Sequence, residues 1–214
     1  MRIRSFIIAY ALVLAILLFA DRRPKPAQQD RYSHVVDLTD AQSIAGQKFT
    51  GSSQTRIIAP DALIPGTWTA GQIPAERLIA PLVVMDLNVA PPAQISLDDI
   101  ASWETQHGSV PPGAVVAIRR SGAHGHPQGG FPMTDQAAQF LMDARYTTGF
   151  AVDETADLRA DRTLARQLAL HGNYVVEGTS HLTTLPATGS LIIVAPAKDL
   201  QVQDAPVRVL AMVR

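Results

Sequence analysis

The chain has 214 residues, 47% of them hydrophobic, so it can bury the core of one ordinary domain and global disorder is excluded. It contains no cysteine, which excludes disulfide scaffolds, cysteine-based zinc ribbons and thiol catalysis. With 18 basic and 19 acidic side chains and only 6% aromatic residues, it lacks the charge and stacking residues of a nucleic-acid-binding protein.

The first predicted element is an N-terminal apolar segment. Arg2 and Arg4 precede an almost continuous apolar run over residues 6–20, and further basic residues follow it. This order is typical of a secretory signal or a signal anchor. The run is short for crossing a bilayer, which takes about 20 residues, and it has no clean A-x-A cleavage site. We therefore predict that residues 1–20 are a signal peptide or a signal anchor, and that the protein is exported or membrane-anchored (periplasmic or extracytoplasmic).

A linker and one domain are predicted after this segment. Residues 21–33 are polar and contain prolines, which indicates a linker, and residues 34–214 form the domain. Short apolar runs alternate there with helical patterns, which predicts a single mixed α/β domain. Several runs contain uninterrupted stretches of Val, Ile and Leu, as in strands that are covered on both faces. Strands are expected at residues 35–38, 82–87, 114–118, 149–152, 174–177, 190–195 and 207–213.

Three helices are expected between these strands. Ser96 and Asp99 have the spacing of a capping box at the start of the first helix. Thr134 is the predicted cap of the second helix, whose apolar residues recur at i, i+3, i+4 and i+7. The third helix is expected over about residues 161–171, followed by Gly172 in the position that glycine usually takes after a helix.

Several short motifs follow one another along the domain. The first is T-W-T-A-G-Q-I-P-A-E-R-L-I-A-P at residues 67–81, followed directly by L-V-V-M-D. The next are W-E-T-Q-H-G at 103–108 and P-P-G-A-V-V at 111–116, and later V-V-E-G at 175–178 and A-P-V-R at 205–208. Together they resemble the metal-dependent cyclase family, which includes bacterial kynurenine formamidases and isatin hydrolase. The resemblance implies a swivelling β/β/α fold, assembly as a homo-oligomer, and a hydrolase acting on C–N bonds other than peptide bonds.

The metal site of that family depends on the motif H-x-G-T-H-x-D-A-P-x-H. The resemblance implies that its first two histidines and its aspartate hold zinc or manganese, and that its third histidine transfers protons. Anchored on Thr55 and on residues 59–60, the motif falls at residues 52–62. A later family histidine falls on Ala165, twelve residues before Glu177, which is the one functional position retained. The other functional positions of the motif are occupied by Ser52, Arg56, Ile58 and Ala62.

These substitutions remove the donor atoms that a divalent metal needs. Serine is a poor zinc ligand, and isoleucine and alanine side chains have no donor atom at all. Arg56 brings a fixed positive charge to a place where a dication is expected. The sequence therefore predicts that no zinc or manganese cofactor is bound at this site. We hypothesise that the guanidinium of Arg56 forms an ion pair with Glu177 instead.

The remaining polar residues offer one weaker catalytic group. His181 follows Glu177 by four residues, so a bend in the chain would bring both side chains toward Asp153. These three residues are the candidate acid–base group. His124 and His126 form an H-x-H pair in a glycine-rich stretch, which is interpreted as a solvated loop, with metal binding as the less favoured alternative.

Two functions are compatible with these observations. The first is a non-catalytic relative of the cyclases, exported or membrane-tethered, with a role in binding or assembly. The second is an active hydrolase of amide or cyclic-amide bonds, with a rebuilt site that includes Glu177. An error in the register of the motif would be a third explanation, but no histidine lies between His34 and His107 to restore the motif.

Overall fold

The computed structural model describes residues 32–40, 55–89, 93–120, 130–154 and 156–214. The strands in this part of the chain are β1 His34–Asp37, β2 Arg56–Ile58, β3 Ile79–Leu87, β4 Val115–Arg120, β5 Gly149–Val152, β6 Tyr174–Glu177, β7 Ser190–Ala195, β8 Asp204–Pro206 and β9 Arg208–Val213. The α-helices are α1 Pro60–Leu63, α2 Ala75–Leu78, α3 Leu97–His107, α4 Asp135–Arg145 and α5 Arg162–Leu170. Two single turns of 3₁₀-helix lie at Ala70–Gln72 and Leu182–Thr184.

All described strands belong to one mixed sheet, in the order β1-β9-β7-β3-β4-β5-β6-β2-β8. Its centre consists of β3, β4, β5 and β6, which are parallel and are connected through α3, α4 and α5. Val116, Phe150 and Val175 pack on the helical face with Trp103 of α3 and Leu141 of α4. The central strands are thus covered on this face by the three helices that connect them.

The outer strands curl around the second face of the sheet. On one side β7, β9 and β1 add to β3 in antiparallel order, and on the other side β2 and β8 add to β6. The two sides meet where Thr39, after β1, forms a bridge with Thr179, after β6. Leu38, Ile57 and Tyr174 are fully buried in the core that this curl encloses. The described chain is therefore a mixed α/β domain with a curled sheet.

The predicted order of strands and helices is confirmed. Strands β5, β6 and β7 have the predicted bounds, and the other predicted strands begin or end within a few residues of them. Ser96 and Asp99 form the expected capping box, and the Thr134 side chain caps α4. Asp161 caps α5, and Gly172 follows that helix with a φ of +66°. The short strands β2 and β8 were not predicted, because three residues give no measurable periodicity.

The predicted signal or anchor at residues 1–20 lies outside the described residues, as does nearly all of the predicted linker. Within the described ranges, no helix combines the length and the apolar composition needed to cross a membrane. The assignment of the N-terminal segment stays a prediction.

Gly71 allows two backbone segments to approach closely. Its N–H donates to the carbonyl oxygen of Asp199 at 3.1 Å, and a Cβ at this position would lie 2.6 Å from that carbonyl carbon. Because backbone atoms cannot move away without disturbing the fold, Gly71→Ala is expected to reduce the free energy of unfolding by about 1–3 kcal/mol. Urea denaturation measures this loss. Gly130→Ala, whose Cβ would meet no atom within 4 Å, is the control, and an equal effect of both substitutions would contradict the explanation.

Candidate active site

Residues 55–62, the part of the motif segment that the structure describes, contain strand β2 and most of helix α1, which lie beside β6 and α5. Arg56 is directly opposite Glu177 in the antiparallel β2–β6 pair. Opposite residues in such a pair have their side chains on the same face of the sheet. Helix α1, which contains Ala62, packs against α5, which contains Ala165. The fold therefore brings these four family positions into one region, while Ser52 lies outside the described residues.

The side chains in this region do not fit a divalent metal. Ile58 packs against the apolar core under the helices, and Ala165, a buried residue of α5, is 7% exposed. Neither they nor Ala62 has a donor atom. In the described part of the chain, no group of three or more His, Cys, Asp or Glu residues is arranged to hold a metal ion. The two histidines at 124 and 126 lie outside that part.

Arg56 forms an ion pair with Asp204 of β8. Its Nε donates to Asp204 Oδ1 at 2.6 Å, and its Nη2 lies at 2.6 Å from the same oxygen. The hypothesis of an ion pair with Glu177 is therefore wrong. The reason is geometric: Asp204 is the partner of Ile58 in the β2–β8 pair, so it is diagonal to Arg56, and long side chains reach such diagonal neighbours. Both charged side chains are about one-third exposed, at 28% and 32%.

Glu177 is a buried carboxyl group next to this ion pair. It is 6% exposed, and its Oε1 accepts a hydrogen bond from the backbone N–H of Ala156 at 3.0 Å. Burial raises the pKa of Glu177 to about 7, against the opposing effect of that hydrogen bond. The charges of Asp204 and Asp157 raise the pKa further, and that of Arg56 lowers it. Near neutral pH, Glu177 therefore exists in both its protonated and its ionised form.

His181 makes its contacts away from Glu177. Its Nδ1 lies 3.1 Å from the carbonyl oxygen of Asp37 and 3.0 Å from Ser180 Oγ. A carbonyl oxygen only accepts hydrogen bonds, so Nδ1 carries the proton and cannot take one from Ser180. Glu177 and His181, both within the described residues, share no hydrogen bond or ion pair with each other. The chain bends after β6, but this bend does not join the two side chains.

Asp153 lies close to the end of β6. It follows β5 directly. The residue before it, Val152, accepts a hydrogen bond at its carbonyl oxygen from Thr179 N–H at 2.9 Å. The residue after it, Glu154, accepts one from Gly178 N–H at 3.3 Å. The residues after β5 and after β6 are thus neighbours at the carboxyl edge of the parallel strands, where α/β folds usually place their sites. The acid–base role of Asp153, Glu177 and His181 stays a prediction.

Thr55, a residue of the family motif that this chain retains, connects two parts of the curled sheet. Its Oγ1 donates to Gly178 O at 2.7 Å and accepts from Asp40 N–H at 2.7 Å. The threonine thus joins the residues after β1 to those after β6.

Sequence reasoning missed Asp204. The residue lies 148 positions after Arg56, in a strand of three residues whose apolar pattern gives no signal. One indication was present, since the charge of an arginine in a partly buried strand needs a carboxylate nearby. That argument does not select Asp204 among the 19 acidic residues of the chain.

A curled mixed sheet, with the motif strand beside the carboxyl end of the last parallel strand, defines a cyclase-like hydrolase fold. The chain belongs to the cyclase family: the family model described as putative cyclase matches residues 18–156. This confirms the resemblance seen in the sequence. No curated protein sequence gives a significant match.

Solved structures agree with this assignment. Isatin hydrolase A from Labrenzia aggregata, in a structure bound to benzyl benzoate, is 25% identical, with a TM-score of 0.67 over 84% of this chain and 93% of its own. Isatin hydrolase A from Ralstonia solanacearum is 22% identical, with a TM-score of 0.67 over 96% and 97%. A structure described as a potential metal-dependent hydrolase with cyclase activity is 24% identical, with a TM-score of 0.65 over 85% and 98%. The protein has an isatin-hydrolase-like fold.

Proposed function

We propose that this protein is a catalytically degenerate member of the cyclase family with a role in binding or assembly. The observation that carries the proposal is the ion pair of Arg56 with Asp204 at 2.6 Å, at a position where the family resemblance implies a metal-binding histidine. The guanidinium repels a dication, and Ile58, Ala62 and Ala165 offer it no ligand. Without the metal there is no Lewis acid to polarise an amide carbonyl and no activated water to attack it.

The direct test is an activity assay. The purified protein, supplied with zinc or manganese, is incubated with isatin and with an arylformamide, and ring opening or deformylation is followed spectroscopically. We expect rates equal to those of the protein-free solution. Isatin hydrolase A from Ralstonia solanacearum is the positive control for isatin. Metal-dependent turnover of either substrate by this protein would overturn the proposal.

The N-terminal sequence supports a location at or beyond a membrane. The apolar run at residues 6–20, with Arg2 and Arg4 before it, has the composition of a signal or a signal anchor. Cell fractionation followed by alkaline extraction of the membranes tests this. An anchored protein stays in the extracted membranes and an exported one appears outside the cytoplasm, whereas a cytoplasmic pool of intact chain would contradict both. Assembly as a homo-oligomer is the family expectation, and light scattering measures it.

A second candidate function is hydrolysis of amide or cyclic-amide bonds at a rebuilt site. The observation in its favour is the pKa of about 7 at Glu177, because a general base works best when its pKa is close to the working pH. In this case the protein hydrolyses isatin or an arylformamide without added metal. The activity then disappears in Glu177→Gln, and an activity that survives this substitution excludes Glu177 as the base.

A further inference from the structure

We infer that the guanidinium of Arg56 is a built-in cation, which occupies the place of the family's divalent metal and has Asp204 as its counter-ion. The inference rests on the proposed loss of metal binding. It goes beyond that proposal by naming the charge that replaces the metal ion, the strand that supplies its counter-ion, and the effect of removing either of the two charges.

Arg56 lies in the sheet between the two strands that carry the carboxyl groups of Glu177 and Asp204. Strand β2 lies between β6 and β8, and Arg56 pairs with Glu177 on one side and with Pro206 on the other. Its side chain therefore extends over the face that carries the carboxyl groups of Glu177 and Asp204. A cation at this point neutralises negative charge from both neighbouring strands.

Arg56 also balances negative charge around β2. Three carboxyl groups act on this region, from Glu177, Asp204 and Asp157, and the charges of the last two oppose the ionisation of Glu177. Arg56 acts on Glu177 in the opposite direction. Removal of the guanidinium would leave an excess of negative charge in a partly buried place, where charges are poorly screened.

Backbone hydrogen bonds attach β8, which carries Asp204, to the segment that carries Arg56. Ala59 N–H donates to Gln203 O at 2.8 Å, and Val207 N–H donates to Thr55 O at 3.1 Å. The Gln203 side chain also donates to the buried carboxylate of Asp61. The segment that carries Asp204 is thus fixed to the motif segment on both sides. Asp204 is held in place for Arg56 rather than meeting it by chance at a mobile surface.

Thermal melting of Arg56→Gln, with and without millimolar calcium or manganese, tests the inference. We expect the melting temperature near neutral pH to fall by about 4 °C or more relative to wild type. Calcium or manganese should restore about 2 °C or more of this loss, because carboxylate oxygens freed from the guanidinium attract a hard cation. The wild-type protein should show no such response. Arg56→Lys, which retains the charge, should melt closer to wild type than Arg56→Gln does.

Two further variants complete the design. Arg208→Gln removes the ion pair of Arg208 with Asp37 at 2.6 Å, in which the two side chains are 64% and 43% exposed. For this exposed pair we expect only a small fall in melting temperature and no response to cations. The double variant Arg56→Gln/Asp204→Asn removes both charges, and it should melt above Arg56→Gln and ignore added cations. If Arg56→Gln does not fold, folding of the double variant supports the inference and failure of both overturns it.

The outcomes separate the inference from the proposed function. An Arg56→Gln protein that melts as wild type and ignores cations overturns the inference, while the proposed loss of metal binding stands. A wild-type protein whose melting temperature rises with zinc or manganese overturns the proposed function, and the inference with it.

Discussion

Replacement of Glu177 by glutamine is expected to stabilise the protein at about pH 8 by about 3 kcal/mol relative to wild type. Burial raises the pKa of this carboxyl from its ordinary value of 4.5 to about 7. The folded protein therefore binds more protons than the unfolded chain between these two values, and wild-type stability falls as the pH rises through this window. Glutamine cannot ionise, and its side-chain oxygen can still accept the hydrogen bond from Ala156.

Urea denaturation of both proteins at about pH 4.5 and about pH 8 measures this effect. At the lower pH both side chains are neutral in the folded state, so the two proteins should differ little. The difference in free energy of unfolding between the two proteins should grow toward about pH 7 and then stay constant. Above that pH, Glu177 is ionised in both the folded and the unfolded wild-type protein. A difference that does not change with pH would contradict the burial of an ionisable carboxyl at this position.

Replacement of Arg77 by methionine is expected to reduce the free energy of unfolding by about 2–3 kcal/mol. The Arg77 guanidinium lies at the carboxyl end of α5, where Nη2 is 3.2 Å from His171 O, 3.2 Å from Gly172 O and 3.1 Å from Asn173 Oδ1. Burial lowers the pKa of Arg77 from its usual value, which indicates that the charge is partly desolvated. Methionine fills the space but leaves these acceptors without a donor.

Arg166→Met is the matched control for Arg77→Met. Arg166 lies on the exposed face of α5, and we expect its replacement to change stability by about 0.5 kcal/mol or less. Urea denaturation of the two variants gives the comparison. Equal stabilities of Arg77→Met and wild type would show that the carbonyl groups at the end of α5 find other donors.

Much of the fold could be predicted from local sequence features. Short apolar runs rich in Val, Ile and Leu predicted the strands, and the bounds of β6 and β7 agree with the prediction residue by residue. Helix bounds followed from the predicted caps, such as Ser96 before α3, and from Gly172 after α5. The curl of the sheet could not be predicted in this way, because it depends on pairings such as Thr39 with Thr179 between distant segments.

For the candidate site, the sequence led to the hypothesis of an ion pair between Arg56 and Glu177. The structure has the two residues as direct strand partners, but the ion pair of Arg56 is with Asp204. Two properties could not be derived from sequence. The ion pair depends on Asp204, which a three-residue edge strand brings to Arg56. The raised pKa of Glu177 depends mainly on its burial, a property of the folded domain.

If the metal site is lost as proposed, the described contacts explain how the domain stays folded. The ion pair of Arg56 with Asp204 joins β2 to β8, and the hydrogen bonds of Thr55 with Gly178 and Asp40 join the residues after β1 to those after β6. On this proposal, these contacts connect the strands without a metal ion and keep the fold available for binding or assembly.

Metal content of the full-length protein, purified in mild detergent and dialysed against zinc or manganese, tests the central claim most directly. We predict far less than one equivalent of either metal per chain, and no change in melting temperature after chelation. Close to one equivalent of bound metal, with a lower melting temperature after chelation, would contradict the claim that Arg56 and Asp204 have replaced the metal site.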